Sequence, residues 1–107
     1  MDEKMEQACF SIISTVGVAK SLFIESITCA RNKEYDKAYE LIKEGEKVFA
    51  SGHDTHLNLI KEEASGNNLN LSLLLVHAED QLMNADTFKI LALEFIELYK
   101  KVEQNEK

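Results

Sequence analysis

The sequence contains no proline, and no stretch of it alternates apolar and polar residues over a useful strand length. Nothing therefore forces a break inside a helix, and nothing argues for a sheet. Cysteine is scarce as well. Cys9 and Cys29 lie 20 positions apart in what reads as one helix. At about 1.5 Å of rise per residue they are separated by roughly 30 Å, far beyond disulfide reach. They are expected to be small, reduced core residues, and without a CxxC partner neither suggests a metal or redox site. Positive charge is the next shortage: 12 Lys and Arg against 19 Asp and Glu leave a formal net charge of −7. That balance argues against a protein that holds nucleic acid by its phosphates, and suits a soluble protein or one that docks on a basic partner. No apolar run approaches the length of about 20 residues that crosses a bilayer, and the polar start Met1-Asp2-Glu3-Lys4 is no secretory signal. The expected location is the cytoplasm, with no membrane insertion.

What is present is helical periodicity. With 45% hydrophobic residues the 107-residue chain can bury one core, so residues 1–107 are expected to form a single domain. From 5 to 30, apolar residues recur at Met5, Cys9, Ile12, Val16, Ala19, Phe23, Ile27 and Ala30, in the steps of three and four that mark an amphipathic helix. Gly17 and Ser21 inside it permit close approach of a neighbour. A short turn follows at 31–34, with Asn32 as cap or left-handed residue. The second helix is expected from about 35 to 65, on a seam of Ala38, Ile42, Gly45, Phe49, Gly52, His56 and Leu59. Gly66-Asn67-Asn68 closes it. The third begins near 69–71 and continues through Ala85, Phe88, Ala92, Phe95, Ile96, Tyr99 and Val102, with a frayed charged end at 103–107. The charge-rich segments 34–47 and 61–63 read as solvated helix faces. Three long helices with short links predict an all-α, antiparallel up-down-up three-helix bundle.

The third helix carries more apolar surface than two partners can cover: Leu71, Leu73, Leu74, Leu75 and Val76 point all round it. Self-association along this helix is the expected remedy. The apolar run ends at His77, and Asp80 and Asn84 follow at i+3 and i+7, so the three form a polar line on one face. An imidazole there is a candidate nucleophile for phosphorus, because it is largely neutral near pH 7 and needs no separate base. The alternative is a core histidine hydrogen-bonded to Asp80 or to a backbone carbonyl. Asp80 reads equally as a group that orients the ring, binds a cation or meets its own copies at an axis, and as an ordinary exposed acid. His53 and His56 are one turn apart, yet they lack the HExxH pattern and a third ligand; His56 is expected at the seam and His53 beside the cleft of His77.

The run LLLVHAEDQLMNADTFKILALEFIELYKK at 73–101 resembles the signature of enzyme IIA of the lactose/cellobiose/chitobiose class of the bacterial sugar phosphotransferase system. The similarity extends to Gly17-x-Ala19-Lys20-Ser21 and to the block from Gly52-His53 to Glu63-Ala64-x-Gly66. The resemblance implies a homotrimeric nine-helix bundle. It implies that His77 takes a phosphoryl group from phosphohistidine on HPr and passes it to a cysteine of a cognate IIB, and through it to IIC, in disaccharide uptake. It also implies that Asp80 binds one Mg2+ per trimer at the axis, with His53, Gln81 and Asn84 as possible cleft neighbours. The pattern HAxDxLM is kept, but Glu79 stands where an amide is usual and Gln81 where a second histidine is usual. Val18 and Lys20 replace a frequent Asp and Arg, and His56-Leu57 a usual Gln-Thr pair. A helical adaptor that kept the fold without phosphotransfer is the alternative reading.

Overall fold

A computed structural model describes residues 2–106. They form three helices, α1 (Glu3–Arg31), α2 (Tyr35–Ala64) and α3 (Leu73–Glu106), in a rod of 59 × 20 × 18 Å. Among the described residues there is no strand. Both α2 and α3 pack along α1, whereas α2 and α3 meet each other over only a short stretch.

The helix ends follow from capping. Asp2 is extended and its Oδ1 accepts from the Met5 backbone N–H at 2.7 Å, so α1 starts before the first apolar residue of its stripe. The turn after α1 realises the first of the two roles expected of Asn32, that of cap. Asn32 closes the helix at φ −91°, and it is Lys33 that takes the left-handed conformation at φ 65°. Gly66, at φ 96°, ends α2 as its residue type predicts. The third helix begins later than expected, because the Ser72 hydroxyl accepts from the Leu75 N–H at 3.1 Å and holds Leu73 as the first helical residue. Its far end is helical to Glu106 rather than frayed from Glu103; Lys107 lies outside the described residues.

The core runs down α1. Cys9, Ile12, Val16, Ala19, Phe23 and Ala30 are buried there as the periodicity predicts, and Ser26 joins them by bonding its own helix at the Phe23 carbonyl, 2.6 Å away. The α2 seam is also as expected: Ala38, Ile42, Gly45, Gly52 and Leu59 are buried, and Phe49 and His56 half-buried. On α3 the buried line is Leu75, Ala78, Leu82, Ala85, Ala92 and Ile96. Phe95 and Val102, expected inside, are 40% and 44% exposed. The line mixes alanines with Leu75, Leu82 and Ile96, and the other large apolar side chains of α3 stay on its flanks.

The two seam glycines are required by packing. A Cβ on Gly45 would collide with the Phe23 ring, and one on Gly52 with the Thr15 hydroxyl and Val16. Gly17 is different: nothing stands within 4 Å of where its Cβ would be, so it makes no close approach within this chain. The length of α1 also corrects the sequence reading. By length and composition it is long and apolar enough to cross a bilayer. In this fold it is the helix on which the other two rest.

Polar contacts tie the start of α2 to the end of α3. The Tyr35 hydroxyl donates to the Glu103 carboxylate, and Tyr39 donates to Glu97 at 2.6 Å while Lys100 lies 3.3 Å from the Tyr39 oxygen. Cys9 and Cys29 are free and buried, and burial first of all pushes both thiols up.

Replacing Gly45 by alanine should lower stability by about 1–3 kcal/mol through overpacking, seen as an earlier denaturant midpoint at fixed protein concentration; an unchanged midpoint would contradict the Phe23 contact. The hydrogen bond to Glu103, followed by burial, pushes the Tyr35 phenol up to about 12. Its ordinary value is about 10, so the unfolded chain loses this proton first and the contact's stabilisation, complete below about pH 10, fades as pH rises toward about 12. Tyr35→Phe should flatten that alkaline decline in unfolding midpoints; a decline of undiminished slope would mean that another group causes it.

Candidate functional site

The site is set by how α3 begins. From the Ser72 cap, Leu75, Ala78, Leu82 and Ala85 follow at spacings of three and four and pack with Cys9, Ile12 and Val16 of α1 and Leu59 of α2. This fixes the rotation of the helix about its axis. Position 77 is then carried to the flank, and His77 is exposed. The reading of His77 as a core histidine does not hold for this chain.

Asp80 is exposed too, whereas Gln81 and Asn84 are half-buried. With offsets of three, four and seven residues from His77, all four side chains share one stripe, spanning about 10 Å along the axis. The Asn84 Oδ1 is buried and finds no hydrogen-bond partner among the described residues. The surroundings are apolar and open: Leu73 is 86% exposed, Met83 60% and Val76 53%. A cleft of about 370 Å³ is lined by Leu59, Leu71, Leu75, Val76, Asp80 and Met83, among others. A larger open cleft of about 710 Å³ lies between the start of α1 and residues 67–70, lined by Lys4, Asn58, Asn67 and Asn68 among others, and none of the polar stripe borders it. The polar stripe lies apart from it, on the flank of α3.

Glu79 takes a different direction. Two residues on from His77 is about 200° around a helix, so the carboxylate points to the other side of α3. There Glu79 Oε2 lies 2.5 Å from the Nδ1 of His56 on α2. Both atoms are buried. The charge that could have opposed a phosphorylated His77 from the same face is therefore turned toward α2, and part of its field reaches Cys9, whose thiol it helps to push up after burial itself. The His53 ring stacks on Phe49 with centroids 5.9 Å apart and an interplanar angle of 24°, and stands 5.9 Å from the His56 ring. These contacts place His53 in the α2 aromatic row.

Periodicity did not reveal the His56–Glu79 contact, which joins positions 23 apart in sequence. The available signal was weak: His56 occupied a seam position, and Glu79 an offset facing neither the core nor the polar line. Among the described residues, no group of three His, Cys, Asp or Glu side chains is placed to hold a metal ion. Asp80 offers one carboxylate, a hard oxygen donor of the kind magnesium prefers, so any cation there needs donors from further chains.

The sequence model of the family described as "PTS system, Lactose/Cellobiose specific IIA subunit" matches residues 7–100. The lichenan-specific phosphotransferase enzyme IIA component of Bacillus subtilis is 38% identical over 102 residues, covering 95% of this chain and 93% of the relative. The crystal structure of the cellobiose-specific enzyme IIA of Bacillus anthracis superposes with a TM-score of 0.93 at 38% identity, covering 97% of this chain and 95% of that one. The solution structure of the IIA(Chitobiose)–HPr complex of Escherichia coli gives a TM-score of 0.81 at 26% identity, covering 95% of this chain and 99% of that one.

Proposed function

The chain belongs to the lactose/cellobiose-specific IIA family of the sugar phosphotransferase system, and we propose that it carries its phosphoryl group on His77. It is a phosphocarrier of sugar uptake, working between HPr and a cognate IIB. The observation that carries the choice of His77 is its position: an exposed imidazole on the flank of a rigid helix, set by the buried line beside it.

The chemistry asks little of the protein beyond placement. A ring nitrogen of His77 attacks the phosphorus of phosphohistidine on HPr. The new N–P bond forms as the old one breaks, and the proton lost from the His77 ring balances the one the departing HPr imidazole takes up, so that both rings end neutral. The step is then repeated in the other direction, with a cysteine thiolate of IIB as the attacking group and His77 as the leaving group. Two partners in turn must reach the same nitrogen, which an exposed position allows. Half-buried Gln81, one turn along, has N–H donors for phosphoryl oxygens, and the apolar rim of Leu73, Val76 and Met83 limits water near the N–P bond. The place of action is the cytoplasm, where HPr delivers phosphate to the inner face of the transporter.

The working unit is a homotrimer. Its support here is the amount of apolar surface left open on α3, where Leu73, Val76, Met83, Ile90, Leu91 and Leu98 are each more than 40% exposed. Three copies of Asp80 would supply the three carboxylates that one chain lacks, a set suited to Mg2+, which would neutralise their mutual repulsion.

Replacing His77 by alanine should abolish the acid-labile, phosphate-sized mass gain after incubation with phosphoenolpyruvate, enzyme I and HPr, with helicity unchanged. Retained phosphorylation would remove His77 as the acceptor, and a wild type that gains nothing beside an active HPr control would favour an adaptor without transfer. Asp80→Leu should leave a trimer by light scattering and remove the divalent metal found in the wild type by elemental analysis; equal metal in both proteins would contradict the role of Asp80.

A further inference from the structure

The contact between His56 and Glu79 lies outside the polar stripe, and its geometry asks for an explanation. At 2.5 Å, His56 Nδ1 and Glu79 Oε2 are closer than an ordinary charge-assisted N–H···O bond of about 2.7–2.9 Å. Neither atom touches solvent, and neither makes a hydrogen bond of ordinary geometry, to the other or to a third group. A bare ring nitrogen against a carboxylate oxygen would oppose two lone pairs, so a proton must reside between them. Without that proton, or without either partner, a buried polar group would be left unmatched. His53 stacks on Phe49 and stands tilted by 38° to the His56 ring, 5.9 Å from it, so the row flanks His56 from the α2 side.

We propose that His56 and Glu79 are a positioning pair for phosphoryl transfer at His77: Nδ1–H of His56 donates to the Glu79 carboxylate and thereby locks, from the α2 side, the rotation that the buried line of α3 sets and that presents His77. The inference rests on the phosphocarrier reading given above. Its logic is angular. Glu79 and His77 point to opposite sides of one helix, so anchoring the first to α2 aims the second outward. The anchor matters because α2 and α3 share only a short line of contact, so few other contacts tie α3 to α2 near His77. The pair also keeps the Glu79 charge beside a donor, on the side away from the phosphoryl group. Neither residue touches the reacting atoms; both act through the setting of His77.

The test compares the full-length wild type with His56→Ala, His56→Gln and Glu79→Leu in a coupled assay with enzyme I, HPr and phosphoenolpyruvate, after circular dichroism has confirmed equal helicity. Misplacement of a reacting group by about 1 Å costs on the order of a hundredfold in rate, and His56→Ala is expected to lose between about tenfold and that figure. The loss should fall on the rate at saturating HPr and not on the HPr concentration needed for half-saturation. His56→Gln, which keeps an N–H donor, should recover most of it. Independently of transfer, 15N NMR of the imidazoles should show His56 protonated at Nδ1 in the wild type and shifted to the ordinary Nε2–H tautomer in Glu79→Leu. Wild-type transfer rates in His56→Ala, or an Nε2–H tautomer with bare Nδ1 in the wild type, would overturn the pair and leave the phosphocarrier reading intact. A wild type that accepts no phosphate would overturn both. If His56→Ala does not fold, His56→Gln and the tautomer measurement decide the matter.

Discussion

The Phe23 ring of α1 occupies the space that any side chain at position 45 of α2 would need. This one fit, repeated a few turns away where Gly52 receives Thr15 and Val16, sets the axial register of two long helices that otherwise present smooth seams. With α3 packed along the same α1 helix, Tyr35 and Tyr39 of α2 lie level with Glu103 and Glu97 at one end, and His56 level with Glu79 toward the other. Glycine is a poor helix residue, costing about 1 kcal/mol relative to alanine, and the cost at these two positions is offset by the aromatic and β-branched groups that fill the notch.

Much of this was legible before any coordinates. The apolar stripes of α1 and α2 named the buried residues almost one by one, because steps of three and four leave only one way to face a neighbour. The polar line on α3 was legible for the same reason. Three things were not. The start of α3 depends on a single Ser72 hydroxyl bond, and apolar residues at 69 and 71 masked it. The left-handed residue fell to Lys33, although Asn32 is by type the better candidate. The role of Glu79 depended on a partner in another helix, and no one-dimensional pattern connects them. Periodicity reports which way a side chain points, and it is silent about what waits there.

The two ends of the rod are held differently. Where α2 begins and α3 ends, tyrosine hydroxyls, carboxylates and Lys100 form a connected polar group; the Tyr39 hydroxyl, and next Lys100, hold the Glu97 carboxyl below its usual range. Toward the start of α3 the polar ties are fewer, and Leu71, Leu73, Val76 and Met83 are left open there, as Ile90, Leu91 and Leu98 are farther along. The candidate phosphate acceptor stands at this second end, where surface is still available for other proteins.

The thinness of the rod, 18–20 Å across its short axes, has a consequence for how much of the protein a cell must keep. A layer of three helices in which the outer two meet only briefly leaves apolar side chains of α3 open, and in the homotrimer proposed above other copies would cover them. The stability of such a chain rises with its own abundance. A sparse population would be short-lived and easily degraded, whereas a well-expressed one protects itself. The proposed assembly would thus tie the survival of the carrier to the level at which it is made.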